Sequence, residues 1–310
     1  MNDNIASVSL LDADRDPAAF AEKLGHSFTE FGFAVIADHG IAQELVERAE
    51  EKSKAFFALP EDVKCRYALG QGGARGYTPF GIETAKGATA HDLKEFWHVG
   101  RELDDAHPFH AMMAANVWPA EVPGFKETFL ELFDTFDRAG IKILTAIARF
   151  LQIDEAYFTD TVRDGNSVLR MLHYPPQPEP TGQHIRAGAH EDINTITLLL
   201  GAEEAGLELQ TRDGRWIPVS PKPGQLVVNI GDMLQRLTNG RLRSTPHRVV
   251  NPAPDRASHA RYSMPFFLHF RPDFLIEALP GTVAEGEGPK WPPITAHDYL
   301  AERLREIKLS

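Results

Sequence analysis

The 310-residue sequence is poor in the features that mark several large protein classes. It has one cysteine, Cys65, which excludes an internal disulfide and a cluster of thiolate metal ligands. No apolar run approaches the ~20 residues that a membrane helix needs. The net charge is −12 and the sequence has no basic cluster, so nucleic acid and anionic membranes are poor candidates for partners. The motifs G-x-S-x-G and H-E-x-x-H, which mark α/β-hydrolases and zinc proteases, are also absent.

The composition is that of a globular protein. Hydrophobic residues make up 43% of the chain, which is enough for a large core. The acidic first residues, "MNDNIASVSLLDADRD", lack the apolar region of a signal peptide. The single cysteine suits a reducing compartment. We therefore expect a cytoplasmic protein, and the sequence leaves its oligomeric state open.

The first half of the chain is mostly helical in pattern. Apolar residues recur at helical spacing in three segments: residues 16–31, 41–60 and about 123–151. Residues 32–38 are typical of a short strand. The apolar stripe of the longest helix is predicted to lie in the core and contains Phe125, Phe129, Leu132, Phe133, Phe136, Ile143, Leu144 and Ile147.

After Ser167 the apolar period changes to two, which is typical of strands. Seven short β-rich segments follow: 167–174, 195–200, 207–210, 216–219, 225–230, 247–251 and 261–270. Turn sequences separate them, including Asp213-Gly214 and a predicted hairpin at Thr238–Gly240. This pattern predicts a sandwich or barrel with helices packed outside it. A last helix is predicted within residues 294–309.

The stretch "GAHEDINTITLLL" places polar residues at the start of an apolar strand. If His190 and Asp192 lie on one strand, they point to the same face, about 6–7 Å apart, and Glu191 points to the other. This geometry suits two ligands of one metal ion. The pair alone also fits a hydrogen-bonded polar pair at a strand end.

A 2-His-1-carboxylate iron centre requires one more histidine and leaves positions open for other ligands. Four histidines follow in the chain: His247, His259, His269 and His297. His259 and His297 lie in segments that we expect to be exposed. His247 opens one predicted strand, and His269 lies near the end of the last one.

The last strand, "RYSMPFFLHF", favours His247. Arg261 and Ser263 share a face with His269 and can together hold a carboxylate, although a structural acidic residue is an equal alternative partner. Arg261 and His269 are about 26 Å apart along the strand, farther than a five-carbon diacid reaches. If Arg261 holds a metal-bound co-substrate, His247 is therefore the better third ligand.

From about Phe31 to Phe270 the chain resembles the Fe(II)/2-oxoglutarate-dependent dioxygenases of the isopenicillin N synthase-like group. The matching segments occur in the family's order: "GFAVIADHGI", "FFALP", "RGYTPFG", "DLKEFW", "HYPPQP", "HEDINTITLLL", "DGRWIPVSPKPGQLVVNIGD", "TNGRLRSTPHRVVNP" and "RYSMPFF". The resemblance implies a double-stranded β-helix, or jelly-roll, core at residues 154–275. A mostly helical region, residues 1–153, is expected to pack on it, and residues 276–310 to form an extension with a helix, all within one structural unit.

The resemblance also implies a site and a reaction. The residues that match the family's site are His190, Asp192 and His247 for catalytic Fe(II), and Arg261, Ser263 and Tyr174 for the distal carboxylate of 2-oxoglutarate. Asn229 and Leu172 border the same pocket, and Leu172 stands where many relatives have asparagine. The implied reaction couples oxidative decarboxylation of 2-oxoglutarate by dioxygen to C–H oxidation of a small molecule.

Two other functions fit the same residues. One is an Fe(II) oxidase of the same fold in which Arg261 and Ser263 hold the substrate's own carboxylate. The other is a metal- or carboxylate-binding barrel without turnover. The glycine-rich segment Gly70–Tyr77 is predicted to lie near the pocket mouth or to be a plain surface loop, and Phe96 or His98 either faces the pocket or serves packing.

Overall fold

The computed structural model describes residues 5–70, 75–82, 92–176, 186–200, 206–251 and 258–306. Its helices are α1 (Asp12–Arg15), α2 (Pro17–Glu30), α3 (Gln43–Phe57), α4 (Glu61–Lys64), α5 (Phe125–Leu151), α6 (Tyr157–Val162), α7 (Asp232–Leu237) and α8 (Ala296–Glu306). Within these ranges, no helix has both the length and the apolar character needed to cross a bilayer.

The strands follow the chain in two groups. The first four are β1 (Ser7–Ser9), β2 (Phe33–Ala37), β3 (Gly76–Thr78) and β4 (Glu95–Gly100). The remaining strands are β5 (Val168–Tyr174), β6 (Ala187–His190), β7 (Ile196–Leu200), β8 (Leu207–Gln210), β9 (Trp216–Pro218), β10 (Leu226–Ile230), β11 (His247–Val249), β12 (Arg261–Leu268), β13 (Leu275–Ile276) and β14 (Ile294–Thr295).

Two sheets form a jelly-roll core. The large sheet has the order β1-β2-β10-β7-β12-β5-β4-β3, and the small sheet has the order β6-β11-β8-β9. Neighbouring strands of both sheets are antiparallel except β1 and β2. Because strand residues alternate between faces, one face of the large sheet lines the interior between the sheets and the other packs on helices.

Helix α5 covers the outer face of the large sheet. The ring of Phe136 stacks on that of Phe266 in β12, with centroids 5.4 Å apart, and Phe133 meets the same ring edge-on at 5.0 Å. A Cβ at Gly140 would lie 2.4 Å from Leu268 Cδ1, so a larger residue here would force the Leu268 side chain to move. The apolar stripe predicted for this helix is buried throughout, which confirms its place in the core.

All seven predicted strands are present, but the first half of the chain is less helical than its pattern indicates. Besides the predicted β2, it supplies β1, β3 and β4 to the large sheet. Every residue of β4, "EFWHVG", is buried, so the strand lacks the polar–apolar alternation of a half-exposed strand. Residues 71–74 of the predicted pocket-mouth segment lie outside the described residues.

The predicted hairpin at Thr238–Gly240 is wrong. These residues close helix α7 instead, and Asn239 and Gly240 have φ angles of 50° and 81°. Left-handed Asn-Gly pairs occur both in two-residue hairpins and at helix C-termini, so the sequence motif does not separate the two. The predicted last helix is confirmed as α8.

Candidate metal and co-substrate centre

Three side chains that are distant in sequence converge between the two sheets. His190 ends β6, His247 begins β11, and the two are Cα partners in the small sheet. Asp192 lies in the segment 191–195, which connects β6 to β7 in the large sheet. One ligand atom from each of the three lies within 4.8 Å of the others, and Asp192 Oδ1 lies 3.7 Å from Nε2 of each histidine.

The route by which His190 and Asp192 meet differs from the prediction. They do not share a strand, because β6 ends at His190 and β7 begins only at Ile196. Between β6 and β7 the chain crosses from the small sheet to the large sheet. This crossing turns the Asp192 carboxylate toward the His190 imidazole. Glu191 is not part of the cluster. Burial and the nearby Asp232 carboxylate raise the pKa of Glu191, and Arg303 and Arg243 act against that rise.

Backbone carbonyls orient both imidazoles. His190 Nδ1 donates to the Gly188 carbonyl at 2.7 Å, and His247 Nδ1 donates to the Thr245 carbonyl at 3.1 Å. With the proton on Nδ1, each Nε2 presents a lone pair toward the shared space. Burial lowers the pKa of His247, which keeps this ring neutral and able to bind a cation.

Asp192 is held by two neutral donors. Its Oδ2 accepts hydrogen bonds from Thr197 Oγ1 at 2.5 Å and from Asn229 Nδ2 at 2.8 Å, which leaves Oδ1 turned toward the histidines. Burial raises the pKa of Asp192, but His247, His190 and these two hydrogen bonds outweigh it and hold the pKa below its usual range. The sequence placed Asn229 beside the pocket. It missed Thr197, although this residue lies on the inward face of the strand that follows Asp192.

The donor set fits a ferrous ion. Two imidazole nitrogens and one carboxylate oxygen form a 2-His-1-carboxylate triad, the set used by non-haem Fe(II) oxygenases. Each ligand is also fixed by a hydrogen bond at its far side, as metal-binding histidines and carboxylates usually are. A packed apolar core at this point would not need three groups oriented in this way.

The predicted carboxylate-binding residues lie together on the inward face of the large sheet. Arg261 and Tyr174 are Cα partners across β12 and β5, and the Arg261 guanidinium carbon lies 5.0 Å from the Tyr174 ring centroid. Arg261 Nη1 donates to Ser263 Oγ at 3.2 Å, and all three side chains are buried. Leu172 is the Cα partner of Ser263. A buried guanidinium beside a hydroxyl can bind a carboxylate by charge-assisted hydrogen bonds.

The other downstream histidines lie outside the metal cluster. His269 is buried, its Nδ1 donates to the Phe267 carbonyl at 3.1 Å, and burial lowers its pKa to about 4. His259 is exposed, as predicted, whereas His297 is half-buried in α8 and not exposed. The structure thus places His247, and not His269, beside His190 and Asp192.

Two arginines that the sequence did not single out also lie on this side of the sheet. The Arg186 guanidinium carbon is 5.9 Å from the Tyr174 ring centroid, and its Nη2 donates to the His259 carbonyl at 3.3 Å. Arg170 in β5 contacts Phe96 and His98 of β4. No local motif marks these residues; their positions follow from contacts between segments that are distant in sequence.

Two family models match the chain. The model described as the 2OG-Fe(II) oxygenase superfamily matches residues 165–270. The model described as the N-terminal region of non-haem dioxygenases in morphine synthesis matches residues 4–121. Among curated relatives, the 2-oxoglutarate-Fe(II) type oxidoreductase hxnY of Emericella nidulans is 35% identical over 294 residues, which cover 91% of this chain and 83% of that protein.

Solved structures are similar over nearly the whole chain. A 2OG-Fe(II) oxygenase family protein from Caulobacter crescentus has 55% identity and a TM-score of 0.92, with 98% of this chain and 99% of that chain covered. A full-length Neurospora crassa protein, solved in complex with alpha-KG and thymine, has 31% identity and a TM-score of 0.87, with 98% of both chains covered.

Proposed function

Because this chain belongs to the 2OG-Fe(II) oxygenase superfamily, we propose that His190, Asp192 and His247 bind its Fe(II) ion. The protein is a non-haem Fe(II)- and 2-oxoglutarate-dependent dioxygenase, which couples 2-oxoglutarate oxidation to oxidation of a substrate. The family, the jelly-roll class and the two cofactors predicted from the sequence are thereby confirmed. The convergence of the three ligand atoms within 4.8 Å carries the assignment of the metal residues.

The bound ion and 2-oxoglutarate supply the oxidising chemistry, which no side chain of this chain provides. The two imidazoles would contribute lone pairs, and Asp192 would contribute the negative charge of the site. Thr197 and Asn229 keep its Oδ1 pointed at the ion by occupying Oδ2. Asp192, His247, Thr197 and Asn229 are buried, which excludes water from them and strengthens their electrostatic contacts.

Arg261, Ser263 and Tyr174 are proposed to hold the distal carboxylate of 2-oxoglutarate. The support is their burial, the 3.2 Å contact between Arg261 and Ser263, and the position of all three on the inward face. The guanidinium supplies charge and paired donors, and the Ser263 hydroxyl supplies a third donor. A diacid held at that end is oriented before it reaches the ion.

The proposed substrate is a free small molecule in the cytoplasm. The net charge of −12 opposes binding to nucleic acid. The Neurospora crassa protein has been solved with thymine and with 5-formyluracil, so a ring of nucleobase size is a candidate for this chain too.

We propose the domain division given above, with the oxygenase core at residues 154–275.

Arg261→Ala tests the carboxylate assignment. We expect the dissociation constant of 2-oxoglutarate, measured by calorimetry on the Mn(II)-loaded protein, to rise roughly 10- to 100-fold, because a charged hydrogen bond contributes about 1.5–3 kcal/mol. Ser263→Ala should raise it by a smaller factor. Arg163→Ala is the control, since Arg163 forms an exposed ion pair with Asp160.

Succinate formation with Fe(II), ascorbate and 2-oxoglutarate separates this function from the two alternatives. An oxidase that does not use 2-oxoglutarate would consume oxygen without forming succinate. A binding barrel without turnover would neither consume oxygen nor form succinate. An unchanged dissociation constant in Arg261→Ala, with the fold intact by circular dichroism, would reject the carboxylate role.

A further inference from the structure

A planar guanidinium lies between two aromatic rings on the inward face of the large sheet. Arg170 shares this face with Leu172 and Tyr174, because alternate residues of a strand point the same way. Its guanidinium carbon lies 4.2 Å from the Phe96 ring centroid and 5.2 Å from that of Phe267. Strand β5 lies between β4 and β12, so the two rings flank Arg170 from opposite sides.

His98 fixes the orientation of this guanidinium. It is the Cα partner of Arg170 across β4 and β5, and its Nε2 accepts from Arg170 Nε at 2.5 Å. The His98 ring also lies against Phe96, with centroids 4.8 Å apart. The Nε edge of Arg170 is therefore turned toward β4, and the plane of the guanidinium is set by three neighbours. We call Phe96, His98, Arg170 and Phe267 the arginine slot.

The arginine slot lies beside the metal centre. Phe267 is the Cα partner of Thr197 across β12 and β7. Thr197 in turn donates the hydrogen bond that holds Asp192. One edge of the slot is thus a single strand away from a residue that positions a proposed iron ligand, on the face that carries Arg261 and Ser263.

We propose that the arginine slot binds the prime substrate and selects a flat ring that carries an oxygen acceptor in its plane. This inference rests on the proposed function. The two rings flank the guanidinium at 4.2 and 5.2 Å, so a flat ring that accepts a hydrogen bond in the guanidinium plane would continue the same layer. A guanidinium donates in its own plane, which matches a carbonyl or carboxylate oxygen at the ring edge.

The alternative is that the four side chains only pack together. Cation–π contacts occur in many protein interiors without a ligand. Packing alone predicts that changes at Arg170 alter stability and leave small-molecule binding unaffected. Selection of a flat substrate predicts instead that changes at Arg170 weaken small-molecule binding. Measured dissociation constants therefore separate packing from substrate selection.

The test uses calorimetric titration of the full chain loaded with Mn(II) and 2-oxoglutarate, without dioxygen. The panel contains flat rings with in-plane oxygens, namely thymine, uracil, 2-pyridone and benzoate. Each is compared with a puckered counterpart that keeps the oxygens, such as 5,6-dihydrothymine for thymine and cyclohexanecarboxylate for benzoate. We expect at least one flat compound to bind at least tenfold more tightly than its puckered counterpart.

Substitutions then assign that binding to the slot. Arg170→Gln should weaken the flat compound at least tenfold, and Arg170→Lys should weaken it less, because a positive charge remains without the planar fork. Phe267→Leu should weaken it by a smaller factor. In all three variants the dissociation constant of 2-oxoglutarate should stay within twofold of the unchanged protein. Arg163→Gln is the surface control and should change neither value.

Three results would overturn the inference. They are equal binding of flat and puckered compounds, binding to Arg170→Gln within twofold of the unchanged protein, and no binding of any flat compound to protein that binds 2-oxoglutarate normally. Each of these leaves the proposed function standing. Failure of the metal-loaded protein to bind 2-oxoglutarate at all would instead overturn the proposed function.

Discussion

Asp192 depends on two neutral hydrogen-bond donors for its orientation. Thr197 and Asn229 occupy one carboxylate oxygen, and the other faces His190 and His247. Residues that orient metal ligands typically contribute 10- to 100-fold to metal affinity. We therefore expect the metal affinity of this proposed centre to depend on Thr197 and Asn229, which do not themselves bind the ion.

Thr197→Val removes one donor and keeps the shape of the side chain. We expect the dissociation constant of Mn(II), measured by calorimetry, to rise about tenfold or more, because the carboxylate gains freedom to turn. Thr195→Val is a matched control two residues away. The Thr195 hydroxyl is buried and has no hydrogen-bond partner among the described residues. A control that loses as much affinity as Thr197→Val would show that the hydrogen bond is not the cause.

His269 makes stability depend on pH. Burial lowers its pKa from 6.5 in the unfolded chain to about 4. As pH falls below 6.5, His269 becomes protonated in the unfolded state, whereas in the folded state it stays neutral until about pH 4. The folded state therefore loses stability between these two pH values. The full loss is on the order of 3 kcal/mol.

His269→Gln should remove this part of the pH dependence. We expect the free energy of unfolding in urea to decline less between pH 7 and pH 4.5 in the variant than in the unchanged protein. His26→Gln is the control, because His26 is exposed beside Glu22 on helix α2. Parallel pH curves for His269→Gln and the unchanged protein would contradict the prediction.

The connecting segment 191–195 carries Asp192 and links β6 of the small sheet to β7 of the large sheet. The sequence predicted strand β7 correctly, and it identified His190 and Asp192 as a pair. It placed them on one strand because apolar patterning cannot show where a chain leaves one sheet for another. The pairing of His190 with His247 depends on a register between distant segments. Local patterning therefore gave His190 and Asp192 only as a pair, the spacing of Arg261 and His269 favoured His247, and the family resemblance implied the complete set of proposed ligands.

Strand β4 is a second element that the sequence pattern did not predict. Its residues are buried on both faces, so its pattern has no period that separates a strand from a buried helix. This missed strand matters for the arginine slot, because β4 carries Phe96 and His98. The sequence offered Phe96 or His98 as a pocket-facing residue, but only the pairing of β5 with β4 and β12 groups them with Arg170 and Phe267.

Gly231 allows the segment 191–195 to lie against the start of helix α7. Its N–H donates to the Thr195 carbonyl at 3.0 Å, and a Cβ there would lie 2.1 Å from the Asn194 carbonyl oxygen. The obstructing atom belongs to the backbone, so relief requires the whole segment to move. The backbone of Gly231 has a φ of −100°, which other residues adopt, so space and not conformation requires glycine.

Gly231→Ala should therefore weaken both the fold and the metal centre. We expect a loss of about 1–3 kcal/mol in the free energy of unfolding, as overpacking usually costs, and at least a tenfold weaker affinity for Mn(II). Gly288→Ala is the control, since a Cβ there meets nothing within 4 Å and its φ is not left-handed. Loss of stability with unchanged metal affinity would show that the segment does not position Asp192.

At the scale of the whole molecule, the proposed metal centre joins the two sheets. His190 and His247 belong to the small sheet, whereas Asp192 is held by Thr197 and Asn229 of the large sheet. An ion bound by all three would tie the sheets together in the folded state only. Ligands that bind only the folded state stabilise it by mass action, by about 2.7 kcal/mol at 100 times the dissociation constant.

Thermal and urea unfolding with and without Mn(II) measure this effect. We expect Mn(II) at 100 times its dissociation constant to raise the free energy of unfolding by about 2–3 kcal/mol. Asp192→Asn keeps the size of the side chain and removes its charge, so the rise should disappear. An equal rise in this variant would place the ion elsewhere.

Addition of 2-oxoglutarate extends the same measurement to the second half of the site. A diacid that contacts both the ion and Arg261 has one of its two anchors missing in the metal-free protein, so its own stabilising effect should be larger when Mn(II) is present. By linkage, Mn(II) should bind more tightly in the presence of 2-oxoglutarate by the same factor. Arg261→Ala should retain the increment from Mn(II) and lose most of the increment from 2-oxoglutarate, whereas Asp192→Asn should lose the first and weaken the second. Independent, additive increments in the unchanged protein would mean that the two proposed anchors do not share one ligand.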